Sequence, residues 1–176
     1  MGINLIKNPG LEQGDNGLWS FFSGCTLPGG NIIADPANAR TGNFRMMVRG
    51  GKAGPGTQTC GRWSQVVDVQ RGFLHRFSVF YKVPTLGVGI QGELQLKGLQ
   101  SSSTYLDTVI SVARPDYTQI GPFEFDPIIH GDTQMEIVAL INPPLGNPGF
   151  SDLFFDDFSL EQITFPRQGI RGFVAG

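Results

Sequence analysis

The strongest constraint on this chain is a hydropathy period of two that returns in segment after segment. In residues 73–83, FLHRFSVFYKV, Phe73, His75, Phe77, Val79, Tyr81 and Val83 fall on one side, and Leu74, Arg76, Ser78, Phe80 and Lys82 on the other. Successive side chains alternate in this way only on extended backbone, so the segment reads as a half-buried strand. VGIQGELQLKG repeats the pattern, with Val88, Ile90, Leu94 and Leu96 against Gln91, Glu93, Gln95 and Lys97. QMEIVALIN aligns Met135, Ile137, Ala139 and Ile141. Further strands are expected at residues 3–6, 18–22, 43–49, 63–70, 104–113, 119–125 and 152–161. The clusters LPGGN, RGGKAGPGTQ, QSSST, ARPD and NPPLGNPG read as turns between them. No segment carries the period of an amphipathic helix. About ten strands in one open sheet would twist apart, so the expected fold is all-β, a two-sheet antiparallel β-sandwich of the jelly-roll type.

Composition narrows the function. The 176 residues suit one domain, expected over 1–162, followed by an extended C-terminal arm over 163–176. A formal charge of −2, with no basic cluster, gives no field for nucleic acid. No apolar run nears the roughly 18 residues that a membrane helix needs. Lys7 and Pro9 interrupt any secretory apolar stretch at the start. Free buried thiols are favoured for Cys25 and Cys60, with a disulfide as the alternative, because a chain of this size needs no staple. His75 shares a strand face with Phe77 and His130 sits in a turn sequence, IIHGDT; neither accompanies a nucleophile motif. An enzyme is therefore not expected.

Several segments in order carry a resemblance: NLIKNPGLEQG, GLW, ARTGNFRMMV, WSQVVDVQRGFLHRFSVFYKV and LFFDDFSLEQ. Together they resemble the non-catalytic carbohydrate-binding modules of the xylan- and cellulose-binding type, which have a galactose-binding-like jelly roll. The likeness covers about residues 4–161. Leu11 stands where Phe is usual, and Asn43-Phe44-Arg45 replaces a small, serine-rich run. The resemblance implies that Trp19 and Trp63 are core. It also implies that Glu12, Gly42 or Asn43, and Asp156 or Asp157 hold a structural calcium. Calcium takes six to eight oxygens, which acids and loop carbonyls can supply. The alternative has Glu12 capping a turn and Asp157 facing water. Asp156 and Asp157 fall on opposite faces of a regular strand.

Two binding functions follow. Amides, acids and aromatics can grip a sugar, and Gln91, Glu93 and Gln95, joined across neighbouring strands by Arg76, Phe80 and Tyr105, form the candidate glycan face. A plain solvated face is the competing reading. The other function is a structural part of a larger assembly, such as the decoration of a phage capsid or tail, in a virion or at an extracellular surface. Ile170, Phe173 and Val174 give the terminal arm an apolar character suited to a neighbouring subunit of the same or another protein. The assembly reading is favoured, because 14 Phe against 2 Trp and 3 Tyr suit packing better than sugar stacking.

Overall fold

The computed structural model describes residues 3–54, 56–142 and 149–163. These described residues form eleven strands: β1 (Ser20–Phe22), β2 (Leu27–Pro28), β3 (Gly30–Ala34), β4 (Phe44–Gly54), β5 (Thr57–Asp68), β6 (Leu74–Val83), β7 (Gln91–Gly98), β8 (Thr104–Ile110), β9 (Arg114–Phe125), β10 (Gln134–Asn142) and β11 (Gly149–Ile163). Among the described residues the only helix is a single 3₁₀ turn, Pro127–Ile129. The arm residues Ile170, Phe173 and Val174 lie outside the described residues.

Hydrogen bonding runs β8-β7-β10-β5-β4-β11-β6-β9. The β4–β5 hairpin is the corner. Its tip pairs Gly51 with Thr59 and Gly54 with Thr57. Beyond the tip its arms part: β4 joins β3 and β11 in one layer, and β5 joins β10 and β1 in the other. The first layer is β3-β4-β11-β6-β9 and the second is β1-β5-β10-β7-β8. Pairing is antiparallel except for the short β2–β5 contact. This is the expected jelly-roll sandwich.

Period two builds the interior. Phe77, Val79 and Val83 of β6 face Leu94 and Leu96 of β7, Ile137 and Ile141 of β10, and Leu153, Phe155 and Leu160 of β11 in one buried cluster. Trp19 and Trp63 are both buried in it. Trp63 donates its indole N–H to the Met47 carbonyl at 3.2 Å, across the two layers.

Several local expectations are corrected. ARPD and RGGKAGPGTQ are largely strand rather than turn, with residues 114–116 in β9, 49–54 in β4 and 57–58 in β5. Residues 3–6 make only the Asn4–Glu161 bridge. LPGGN holds the end-to-start junction of β2 and β3 rather than a turn, with Gly29 between them serving close approach: a Cβ there would stand 2.1 Å from the Arg49 carbonyl oxygen. Val88 lies outside β7 and is 87% exposed. Cys25 and Cys60 form a disulfide, with Cα atoms 5.5 Å apart. The parallel β2–β5 pairing of Pro28 with Cys60 brings them together.

Candidate functional site

The two ends of the described chain meet. Asn4 accepts from Leu160 N at 2.9 Å and donates to the Phe158 carbonyl at 3.0 Å. Phe158 N donates to Pro9 O at 2.9 Å, and the Phe158 ring packs 4.6 Å from Trp19. The β11 register slips between Asp156 and Ser159, and Asp157 takes a φ of +49°. This bulge breaks the alternation, so both acids turn toward residues 40–41 rather than to opposite faces.

Asp156 is fully buried. Its Oδ2 accepts from Arg40 N at 2.8 Å and Thr41 N at 3.3 Å, and its Oδ1 accepts from Asp157 N at 2.8 Å. Burial outweighs these bonds and, with the charge of Asp157, pushes the carboxyl up to about 6. Asp157 accepts from Thr41 Oγ1 at 2.6 Å and pairs with the Arg40 guanidinium. Glu12 accepts from Asn43 N at 2.9 Å and Phe44 N at 3.1 Å. Gly42 takes a φ of +62°, and a Cβ there would stand 2.3 Å from the Glu12 carboxyl carbon.

Glu12, Gly42, Asn43, Asp156 and Asp157 are thus drawn to one loop, but their chemistry does not suit calcium. Calcium needs converging oxygens. These carboxylates are met by N–H groups and a guanidinium, and the Asn43 carbonyl is taken by Asp35 N at 2.8 Å. Among the described residues no group of three or more acidic, His or Cys side chains could hold a metal ion.

The candidate glycan residues divide among three places. Arg76 and Phe80 lie on β6, on the outer side of the first layer. Arg76 pairs with Glu124, and the Arg40 guanidinium lies 3.4 Å above the Phe80 ring, covering it. Gln91, Glu93 and Gln95 lie on β7, on the outer side of the second layer. Tyr105, on β8, turns against Phe125 at 5.2 Å and donates to Asp132 at 2.8 Å. Burial and that acid raise its hydroxyl well above the ordinary tyrosine range.

What gathers around Gln91 and Glu93 instead comes from strands that sequence patterning did not connect with them. Register places Phe22 beside Arg62, Arg62 beside Leu140, Leu140 beside Glu93, and Asn142 beside Gln91. Side chains paired in this way share a face. Phe22 is 65% exposed, a rare aromatic left open to solvent. It lines a cleft of about 250 Å³ with Arg62, Leu140 and Asn142. A second cleft, of about 400 Å³, is lined by Gln91 with Leu86, Val88, Ser111 and Val112. The two clefts therefore flank one row across the second layer. Sequence carried a signal for Phe22: alternation from a core Trp19 puts Phe21 inward, where it packs 4.9 Å from Trp63, and Phe22 outward.

His75 is fully buried, with Nδ1 3.0 Å from Phe73 O and Nε2 unpartnered. Burial lowers its pKa and keeps it neutral. His130 is exposed and meets the Tyr105 ring edge-on.

No family model and no curated protein matches the sequence. Solved structures do match in fold. TmCBM61, in complex with β-1,4-galactotriose, superposes with a TM-score of 0.62 at 17% identity, covering 92% of this chain and 99% of that one. The CBM22-1 xylan-binding domain of Paenibacillus barcinonensis Xyn10C gives 0.54 at 11% identity, covering 89% and 92%. The enzymatically active domain of bacteriophage CBA120 tailspike protein 4 gives 0.61 at 12% identity, but this chain spans only 22% of it. The chain has the jelly-roll fold of carbohydrate-binding modules.

Proposed function

We propose that this protein is a non-catalytic glycan-binding module that uses the outer side of the second layer. The carrying observation is the row from Phe22 through Arg62, Leu140 and Asn142 to Gln91 and Glu93, with a cleft at each end. The row crosses four strands, β1, β5, β10 and β7, and three spacings of ~4.8 Å make a track of about 14 Å for an extended chain lying across them. Phe22 offers a stacking face, and the amides and acid offer donors and acceptors for hydroxyls. Structural neighbours whose names carry galactotriose and xylan support the same reading.

A glycan array spanning galactans, xylans and β-glucans, followed by calorimetry on the best ligand, tests it. Phe22→Ala should weaken binding by about tenfold, the equivalent of ~1.4 kcal/mol. Arg76→Ala, on the opposite layer, should leave affinity unchanged. A blank array, or equal losses in the two variants, would refute the assignment.

A second reading has support of its own kind. A jelly roll of this fold forms part of a bacteriophage tailspike, and the apolar arm residues Ile170, Phe173 and Val174 suit a contact with a neighbouring copy or another virion protein. The disulfide fits an extracellular or virion setting, where thiols stay oxidised. On this reading, removing residues 163–176 leaves a folded monomer that no longer assembles, and light scattering that shows the same state with and without the arm would dismiss it.

A further inference from the structure

We propose that Arg40 acts as a built-in cation at the junction of the two chain ends, in the place that the resemblance assigns to calcium. Three carboxylates meet the 40–44 loop, and each has its own donors. Glu12 takes Asn43 N and Phe44 N. Asp156 takes Arg40 N and Thr41 N. Asp157 takes the Arg40 guanidinium and Thr41 Oγ1. The loop therefore turns its N–H groups toward the acids, whereas a calcium loop turns its carbonyls inward.

Arg40 is held on two sides. Its guanidinium lies 3.4 Å above the centre of the Phe80 ring and pairs with Asp157 at the ring's flank. A planar cation satisfies both contacts at once, the ring through its negative face and the carboxylate through N–H bonds. A dication at the same acids would sit beside this guanidinium, and like charges at such range repel strongly in a partly buried setting. The side chains are 34% and 22% exposed, so water screens the pair only in part. Arg40 also contributes its backbone N–H to Asp156, so one residue ties both Asp156 and Asp157 to the loop. Calcium independence follows directly: the stabilising charge is covalently part of the chain and needs no loading.

The test uses the full chain, expressed in calcium-containing medium and dialysed into metal-free buffer. Emission spectroscopy should find no stoichiometric calcium, and the unfolding temperature should be the same with excess EDTA and with added calcium. Arg40→Gln, which keeps the backbone N–H bonds, should lower the unfolding temperature by a few degrees in both conditions. Arg40→Lys keeps the charge but loses the planar stack, and should fall between the two. One bound calcium per chain, a fall in unfolding temperature with EDTA that calcium reverses, or an Arg40→Gln protein as stable as the parent would overturn the proposal.

Discussion

Gly92→Ala probes the packing that decides which side of β7 faces solvent. The glycine is buried between the layers, and a Cβ there would lie 1.9 Å from Leu153 Cδ2 and 3.3 Å from its Cγ. Carbon atoms in contact keep roughly 3.5–4.0 Å, so Leu153 must leave its rotamer or the sheets must separate. Overpacking of this kind costs about 1–3 kcal/mol, and a contact at half the normal distance belongs near the top of that range. Leu153→Ala alone opens a cavity at a fully buried position and costs about 2–5 kcal/mol. In the double variant the new methyl enters the space that Leu153 leaves. The strain term disappears, and the pair should be about 2 kcal/mol more stable than the sum of the single changes predicts. Urea unfolding reads this directly, since a slope of about 2 kcal/mol per molar turns 2 kcal/mol into a midpoint shift of about 1 M. Additivity within ~0.5 kcal/mol would mean that the two residues do not touch. The register of β7 would then be wrong by one residue, Gln91 and Glu93 would point inward, and the proposed glycan face would vanish with them.

Two further expectations follow. The Cys25–Cys60 bond closes a sequence separation of 35 residues, worth ~3–4 kcal/mol by loop entropy, so a Cys25→Ser/Cys60→Ser variant should lose about that much in denaturant unfolding; an unchanged midpoint would show that the cross-link is not formed. The Asp156 carboxyl, raised to about 6 from 3.8 chiefly by burial, binds its proton more tightly in the folded state, so its contribution is full below pH 3.8 and lost as pH rises through about 6. Relative to Asp156→Asn, the parent should therefore lose up to about 3 kcal/mol across that window, and parallel stability–pH curves for the two proteins would refute the shift.

The buried rows of β6 and β10 could be read from sequence because each strand has one face in the core and one outside it, and period two records that difference. Pairing leaves no such record. The polar sides of β6 and β7 look alike and follow each other in the chain, so Arg76, Phe80 and Gln91 read as neighbours on one face. In the structure β6 lies between β11 and β9, whereas β7 lies between β10 and β8. Glycine was ambiguous for a related reason. It marks a turn where φ is positive, as at Gly42, but at Gly29 and Gly61 it marks two backbones in contact, a Cβ on Gly61 falling 1.8 Å from Gly29 O. That contact is invisible until β2 is placed beside β5, and the cysteine pairing depends on the same placement. Asp156 and Asp157 failed the alternation rule because a bulge, which composition does not announce, inserts one residue into the strand.

The second layer is more open than the first because of where the chain ends close. The loop before β4 folds over the outer side of the first layer. Arg40 covers Phe80 at 3.4 Å, and Arg45 covers Phe154 at 3.7 Å while pairing with Asp35. Tyr117 donates to the Asn38 carbonyl at 2.7 Å, and Lys82 reaches the Asn38 side chain. Phe80, Phe154 and Tyr117 are thereby stacked or bonded, and Phe150, near the start of β11, is the aromatic that the outer side of this layer leaves exposed. The second layer has no such cover: Phe22, Val66 and Val109 are exposed along it, and its polar row borders two clefts. Closing the chain ends over one sheet takes up the middle of that sheet's surface, so the second layer is the one that keeps a continuous open row for a ligand.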